Sequence, residues 1–194
     1  MRVISGTARG MRLKTVRGGA LRPTSDRVKE ALFNILGPRV PGAVIWDLYA
    51  GSGAIGIEAL SRGAAAALFV ERERAHREII ADNLARTKLA SRAELIGQDV
   101  SLALPLLSRQ GKQAHLIFAD PPYQEQNIPR LLEAVEQHGL LRNSGLIVLE
   151  LFARSRLWEP DHPAVELRKY GDAVLAFIEK AAIARARAAL ESEG

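Results

Sequence analysis

The stretch Val44-Ile45-Trp46-Asp47-Leu48-Tyr49-Ala50-Gly51-Ser52-Gly53-Ala54-Ile55-Gly56 decides the fold. Val44 to Leu48 reads as a short buried strand. Gly51 to Gly56 then spells G-x-G-x-x-G where a helix opens and continues to Ser61. Strand, glycine turn and helix form the first half of a βαβ unit, and Ala66 to Glu71 supplies its second strand. Further along, helical and extended patterns keep alternating. Arg74 to Lys88 is a long amphipathic helix, Ala93 to Ile96 a third strand, and Val100 to Leu107 a helix. Ala114 to Ala119 is a fourth strand, Ile128 to His138 a helix, and Leu146 to Phe152 a fifth strand. Two more extended runs, Ala164 to Lys169 and Ala173 to Ile178, flank the turn Tyr170-Gly171-Asp172 as an antiparallel hairpin. The expected class is α/β: a doubly wound, mostly parallel sheet closed by a C-terminal hairpin, with helices on both faces.

With 194 residues, 47% of them hydrophobic, the chain can bury a core without staples. The absence of cysteine excludes a disulfide framework, a thiol redox pair and a cysteine-ligated zinc. His76, His115, His138 and His162 have no metal-ligand spacing, so no metal is expected. No apolar run approaches the roughly 20 residues of a membrane span, and Met1-Arg2-Val3-Ile4-Ser5-Gly6 leads into basic residues rather than a signal core. A soluble cytoplasmic protein with no membrane partner is the expectation, and without a heptad or long apolar edge, a monomer. The net charge of +5 is uneven. Residues 1–40 hold seven Arg and two Lys against Asp26 and Glu30, a local +7 that leaves −2 for the rest. That excess fits an acidic partner, and equally a solvated basic face.

Three segments follow: a basic N-terminal β extension over 1–20, the α/β domain over 21–180, and a tail over 181–194. Within the second, Leu21-Arg22-Pro23-Thr24-Ser25 leads into a helix ending at Leu36. Thr24 or Ser25 can cap it, Asp26 suits its positive end, and Val28, Leu32, Ile35 and Leu36 make its apolar face. The Ala-, Arg- and Glu-rich tail has few large apolar residues and is expected to fray or stay disordered.

The glycine loop alone fits either NAD or S-adenosylmethionine. Glu71 ends the second strand 20 residues after Gly51, where it can accept two ribose hydroxyls, with Arg72 beside it. Asp47, four residues before Gly51, separates the two. A carboxylate at that strand end repels a pyrophosphate and favours an ammonium and a sulfonium. Tyr49, Ala50 and Ser52 complete the loop backbone. Asp99 follows the third strand, where it can accept an adenine amine while Val100 packs on the ring; it can also cap the helix that Val100 opens.

Asp120-Pro121-Pro122-Tyr123, after the fourth strand, is the most specific feature in the chain. Two prolines stiffen the turn and remove two amide donors, which leaves the Asp120 and Pro121 carbonyls free to accept. Asp120 and the Pro121 carbonyl can orient the two N–H groups of an exocyclic amine and offset the charge that develops on attack. Tyr123 can stack on the ring that bears the amine.

In order and spacing, Asp47 to Gly56, Glu71, Asp99 and Asp120 to Tyr123 resemble the motifs of class I adenosylmethionine-dependent methyltransferases acting on amino groups. Arg22-Pro23-Thr24-Ser25-Asp26-Arg27-Val28-Lys29-Glu30-Ala31-Leu32-Phe33-Asn34, Arg2-Val3-Ile4-Ser5-Gly6 and Arg9-Gly10 resemble, more narrowly, the bacterial 16S rRNA guanine-N2 methyltransferases. The resemblance spans residues 1 to about 180. It implies a seven-stranded sheet with its last strands antiparallel, a methyltransferase domain over 21–180, and methylation of a guanine N2 in 16S rRNA, within an assembling small subunit. It also implies that Asp120, Pro121, Pro122 and Tyr123 are catalytic, that Asp120 borders the cofactor, and that Thr24 and Arg27 help hold the methionine carboxylate or position the base. Arg2, Arg9, Arg12, Lys14, Arg17 and Arg22 then become phosphate contacts. DNA adenine-N6 and protein glutamine-N5 methyltransferases use a similar platform, and an NAD-dependent oxidoreductase remains compatible with the glycine loop alone.

Overall fold

The computed structural model describes residues 1–15, 25–121, 128–155 and 157–191. Its strands are β1 (Val44–Leu48), β2 (Ala66–Val70), β3 (Ala93–Ile96), β4 (Ala114–Ala119), β5 (Leu141–Phe152), β6 (Glu166–Tyr170) and β7 (Ala173–Glu179). They form a seven-stranded sheet in the order β3-β2-β1-β4-β5-β7-β6. The β1–β2, β2–β3 and β4–β5 ladders are parallel, while β7 runs antiparallel to both β5 and β6. The mixed sheet with its C-terminal hairpin is as expected from the sequence. The chain divides into two compact units, Met1–Val100 and Ser101–Gly194.

In the first unit, α1 (Asp26–Leu36), α2 (Ala54–Ser61) and α3 (Arg74–Thr87) accompany β1 to β3. Ile45, Trp46 and Leu48 are all buried, the near-continuous apolar pattern of a strand covered on both faces. All eight residues of α2 are buried. A Cβ on Gly56 would lie 2.3 Å from the Phe69 ring, so α2 lies closer to β2 than any side chain there would permit. Ser25 caps α1 by accepting from the Val28 N–H at 3.2 Å. The buried face of α1 differs from expectation. Val28, Lys29, Leu32, Phe33 and Leu36 are buried, and Ile35 is 39% exposed. Including positions 29 and 33 moves the centre of the stripe away from Ile35, and Lys29 can sit there because its ammonium finds an anionic partner, Glu58. Residues 1–13 fold back on themselves: Arg2 and Arg12 form an antiparallel bridge, and Val3 N–H donates to the Met11 carbonyl at 2.9 Å. Val3, Ala8 and Leu13 are buried beneath this loop, and Arg2, Arg9 and Arg12 are exposed.

In the second unit, α5 (Ile128–Gln137) and α6 (Ile183–Glu191) accompany β4 to β7, and α4 spans Val100–Arg109. Two expectations are corrected here. Strand β5 starts at Leu141 rather than Leu146, because the β4–β5 register shifts between Ala114–Leu141 and Leu116–Leu146. The exposed Arg142-Asn143-Ser144 hides that irregular start from a hydrophobicity pattern. The second is the tail, which forms a helix over Ile183–Glu191. Ile183 and Ala186 are buried, Trp158 Nε1 donates to the Ala186 carbonyl at 2.8 Å, and Arg187 lies 3.5 Å and 3.7 Å from Glu133 and Glu136 of α5. Small alanines allow the close approach, so the helix docks with little apolar bulk.

Candidate functional site

Because β1, β2 and β3 are parallel, the segments that follow them collect at one end of the first unit. After β1 the backbone turns through positive φ at Tyr49 (61°), Gly51 (54°) and Gly53 (74°), a path closed to most side chains at the two glycines. A Cβ on Gly51 would meet nothing within 4 Å, so the loop is open there, whereas one on Gly53 would press on Ile80 and Phe69 at 3.2–3.3 Å. Ala50 N–H donates to the Val70 carbonyl at 3.1 Å and Gly53 N–H to the Ala50 carbonyl at 2.7 Å, which pins the turn to β2.

Three carboxyl groups surround this loop. Asp47 is 2% exposed, and its Oδ2 accepts from the Gly56 N–H at 2.9 Å, at the start of α2. Burial pushes its carboxyl up to about 8; the Gly56 hydrogen bond pulls it down and the Glu71 charge adds to the rise. Glu71 accepts from the Gly51 N–H at 2.8 Å and the Glu73 N–H at 2.9 Å, and its Oε1 lies 3.5 Å from His76 Nδ1. Asp99 lies after β3 with a partly exposed carboxylate 3.5 Å from Arg72 Nη1, and Val100 beside it is buried. The structure thus places the loop, Glu71, Arg72 and Asp99 at neighbouring strand ends, with Asp47 buried at the end of β1.

The basic extension is anchored by residues that the sequence reading missed. Glu58, fully buried on α2, accepts from the Ile4 and Ser5 N–H groups at 2.7 and 3.0 Å and from Arg62 Nε at 2.7 Å. Lys29 Nζ lies 3.4 Å from Glu58 and donates to the Arg2 carbonyl. Burial lowers the Lys29 pKa, and the Glu58 charge resists that shift. Ser61 Oγ accepts from Ala8 N–H at 2.9 Å and donates to the Ser5 carbonyl at 2.6 Å. Farther along, Asn83 of α3 accepts from Lys14 N–H at 2.8 Å and donates to the carbonyls of Lys14 and Ser52, each at 3.0 Å. One signal was available: a glutamate inside Ala54-Ile55-Gly56-Ile57-Glu58-Ala59-Leu60, an otherwise apolar helix, must be buried and therefore paired.

Among the described residues, Arg2, Arg9 and Arg12 are exposed on the extension with no ion pair to their guanidinium groups. The Lys14 ammonium pairs with Asp82, whose pKa that contact lowers. Arg27 is exposed on α1, while the neighbouring Asp26 accepts from Arg2 N–H at 3.4 Å. In the second unit Asp120, partly buried, and Pro121, buried, follow β4. Arg17, Arg22, Thr24, Pro122 and Tyr123 lie outside the described residues. A cavity of about 470 Å³ lined by Leu151, Phe152, Trp158 and Lys169 contains none of the expected site residues. Among the described residues, no cluster of His, Asp and Glu could hold a metal ion, and no helix is long and apolar enough to cross a membrane.

Known proteins resemble this chain in sequence and in fold. A protein of Escherichia coli (strain K12) named Ribosomal RNA small subunit methyltransferase D is 38% identical over 150 residues, covering 77% of this chain and 74% of that protein. The solved structure of a hypothetical protein from Thermus thermophilus is 33% identical with a TM-score of 0.81, covering 92% and 99% of the two chains. An RNA methyltransferase from Salinibacter ruber, solved in complex with S-adenosyl-L-homocysteine, is 18% identical with a TM-score of 0.63 over 81% and 93%, a likeness of fold. The model of the family described as Conserved hypothetical protein 95 matches residues 1–179, and the chain belongs to that family.

Proposed function

We propose that the chain is an S-adenosylmethionine-dependent methyltransferase that modifies the N2 amine of a guanine in 16S rRNA, in the cytoplasm, as a monomer acting on an assembling small subunit. One observation carries the reading: an open, left-handed glycine loop whose Gly51 N–H is held by the Glu71 carboxylate, with Asp47 and Asp99 at the same strand ends. That set of acidic acceptors suits a cationic nucleoside and not a dinucleotide, whose pyrophosphate would face carboxyl groups with Arg72 as the nearby cation. When bound, S-adenosylmethionine supplies a methyl group activated on a sulfonium. The backbone of Tyr49, Ala50, Gly51, Ser52 and Gly53 admits it closely, and Gly56 seats the helix behind it. Glu71 has lone pairs left for ribose hydroxyls, Asp99 accepts the adenine amine, Val100 packs on the ring, and Arg72 orients Asp99. Asp47 favours the positive groups, and Thr24 and Arg27 serve the methionine carboxylate or the target base.

Asp120 and the Pro121 carbonyl accept from the two N–H groups of the guanine amine, while Pro122 and Tyr123 form the platform on which the displaced base stacks. The released proton passes to Asp120 or to water. Arg2, Arg9 and Arg12, with Lys14, Arg17 and Arg22, hold the RNA phosphates. The names of relatives in the family support rRNA as the substrate class.

The test is transfer of labelled methyl from S-adenosylmethionine to undermethylated small-subunit particles and to naked 16S rRNA, with digestion to nucleosides. N2-methylguanosine is the expected product. Label on adenine or on protein glutamine, or no transfer, overturns the reading. Asp120→Ala is expected to lower kcat by about 10²–10³, the usual effect of losing one group that stabilises developing charge, while S-adenosylhomocysteine still binds.

A further inference from the structure

Asn83 joins two parts of the first unit that the sequence treats as separate. Its side chain is fully buried and uses both of its amide hydrogens. One goes to the carbonyl of Lys14, at the base of the Arg2–Arg12 hairpin, and the other to the carbonyl of Ser52, between the two left-handed glycines of the loop. Its oxygen takes the Lys14 N–H, so Lys14 is held from both sides of its peptide. The preceding residue, Asp82, holds the Lys14 ammonium. An asparagine amide has two N–H donors, and here they point to different segments. If Ser52 moves, the amide must either follow and release Lys14 or stay and leave a buried donor unsatisfied.

We propose that Asn83 is a positioning residue that couples occupancy of the glycine loop to RNA binding by the basic hairpin, each ligand tightening the other. The proposal rests on the methyltransferase reading above. A molecule seated on the loop restricts Ser52, and through Asn83 it restricts Lys14 and the hairpin that presents Arg2 and Arg12. RNA binding then orders a joint that is already ordered, which gives positive coupling without a change of shape. By linkage the effect is reciprocal.

The experiment uses the full chain, with S-adenosylhomocysteine as the unreactive loop ligand and unmodified 16S rRNA transcript as the RNA. Calorimetry gives the affinity for S-adenosylhomocysteine, and fluorescence anisotropy gives the RNA Kd with and without it at saturation. For the native chain the RNA Kd is expected to fall about tenfold, within the usual range of coupling between sites. Asn83→Asp keeps an acceptor for Lys14 N–H but turns acceptors toward both carbonyls. Its coupling ratio should drop below about twofold, whatever the accompanying shift in the affinity for S-adenosylhomocysteine alone. Should that variant fail to fold, the native protein still decides the matter, because hydrogen exchange at the Lys14 amide must slow on addition of S-adenosylhomocysteine. If both ligands bind with a ratio near one and exchange at Lys14 is unaltered, the coupling is refuted and the methyltransferase reading stands. Persistence of the native ratio in Asn83→Asp refutes the role of Asn83. Absence of any S-adenosylhomocysteine binding overturns both.

Discussion

Changing the pH from 6 to 7.5 should tighten the binding of S-adenosylmethionine through a single buried carboxyl. Asp47 is 2% exposed, and burial pushes it from the ordinary 3.8 up to about 8. With that value about 1% of the protein carries an ionised Asp47 at pH 6 and about 24% at pH 7.5. A ligand whose positive groups need the carboxylate binds only that fraction, so its apparent affinity should rise about 25-fold over the interval. Binding should release close to one proton at pH 6, seen calorimetrically as a dependence of the binding heat on the ionisation enthalpy of the buffer. Asp47→Asn retains an acceptor for the Gly56 N–H and removes the titration, so it should flatten the pH dependence and abolish the proton release. A Kd constant within twofold between pH 6 and 7.5, or an unchanged slope in Asp47→Asn, refutes the reasoning. The same group acts on stability with the opposite sign. Its folded pKa lies above its unfolded one, so its contribution is complete below about 3.8 and is lost as pH rises through about 8. Asp47→Asn should therefore raise Tm more at pH 8 than at pH 5.

Gly56→Ala places a methyl 2.3 Å from the Phe69 ring and should cost about 1–3 kcal/mol, read as a Tm lower by about 2–10 °C. Glu58→Leu strands the buried Lys29 ammonium together with the Ile4 and Ser5 N–H groups and should cost about 3–5 kcal/mol in denaturant unfolding. Lys29→Met should cost markedly less, because Glu58 keeps Ile4, Ser5 and Arg62 as partners. A larger loss in Lys29→Met than in Glu58→Leu would contradict this account. Gly6→Ala demands a Cβ 1.8 Å from the Ser61 carbonyl oxygen at φ +85°, so it should unseat the hairpin. RNA affinity should then fall with a shallower salt dependence, while S-adenosylhomocysteine still binds.

Much of the fold was legible because β1 and β2 are short, apolar and separated by a glycine turn, and that pattern has few alternative readings. Strand β3 and the hairpin strands were legible for a different reason, the turn residues that bound them. The misreadings share a cause, which is that each depended on a partner distant in sequence. Ile35 looked like core because a periodicity argument does not place a lysine on the apolar stripe, yet Lys29 is buried against Glu58, 29 residues away. The tail looked disordered because its stability comes from Trp158, Glu133 and Glu136 rather than from its own apolar content. At the candidate site, sequence spacing singled out Asp47, Glu71 and Asp99, but it did not show that Asp47 and Glu71 would bind the backbone of the loop they flank. Asn83 was invisible for the same reason, since its role lies entirely in two backbone carbonyls on other segments.

The buried charges at the foot of the hairpin follow from the charges at its top. Pairing Arg2 directly opposite Arg12 puts like charges across a single bridge, an arrangement that costs a few tenths to about 1 kcal/mol and would not persist in an isolated hairpin. Burial of Val3, Ala8 and Leu13 offsets part of that cost, but apolar contacts are undirected and would tolerate a slipped register. The hydrogen bonds from Ile4 and Ser5 to Glu58, from Ala8 to Ser61 and from Lys14 to Asn83 do fix the register, because each ties one backbone group to one buried side chain. Glu58 and Ser61 belong to the helix that the glycine loop opens, and Asn83 touches the loop itself. The cationic surface is therefore set by the same backbone that shapes the loop, and a change that loosens one must be felt by the other.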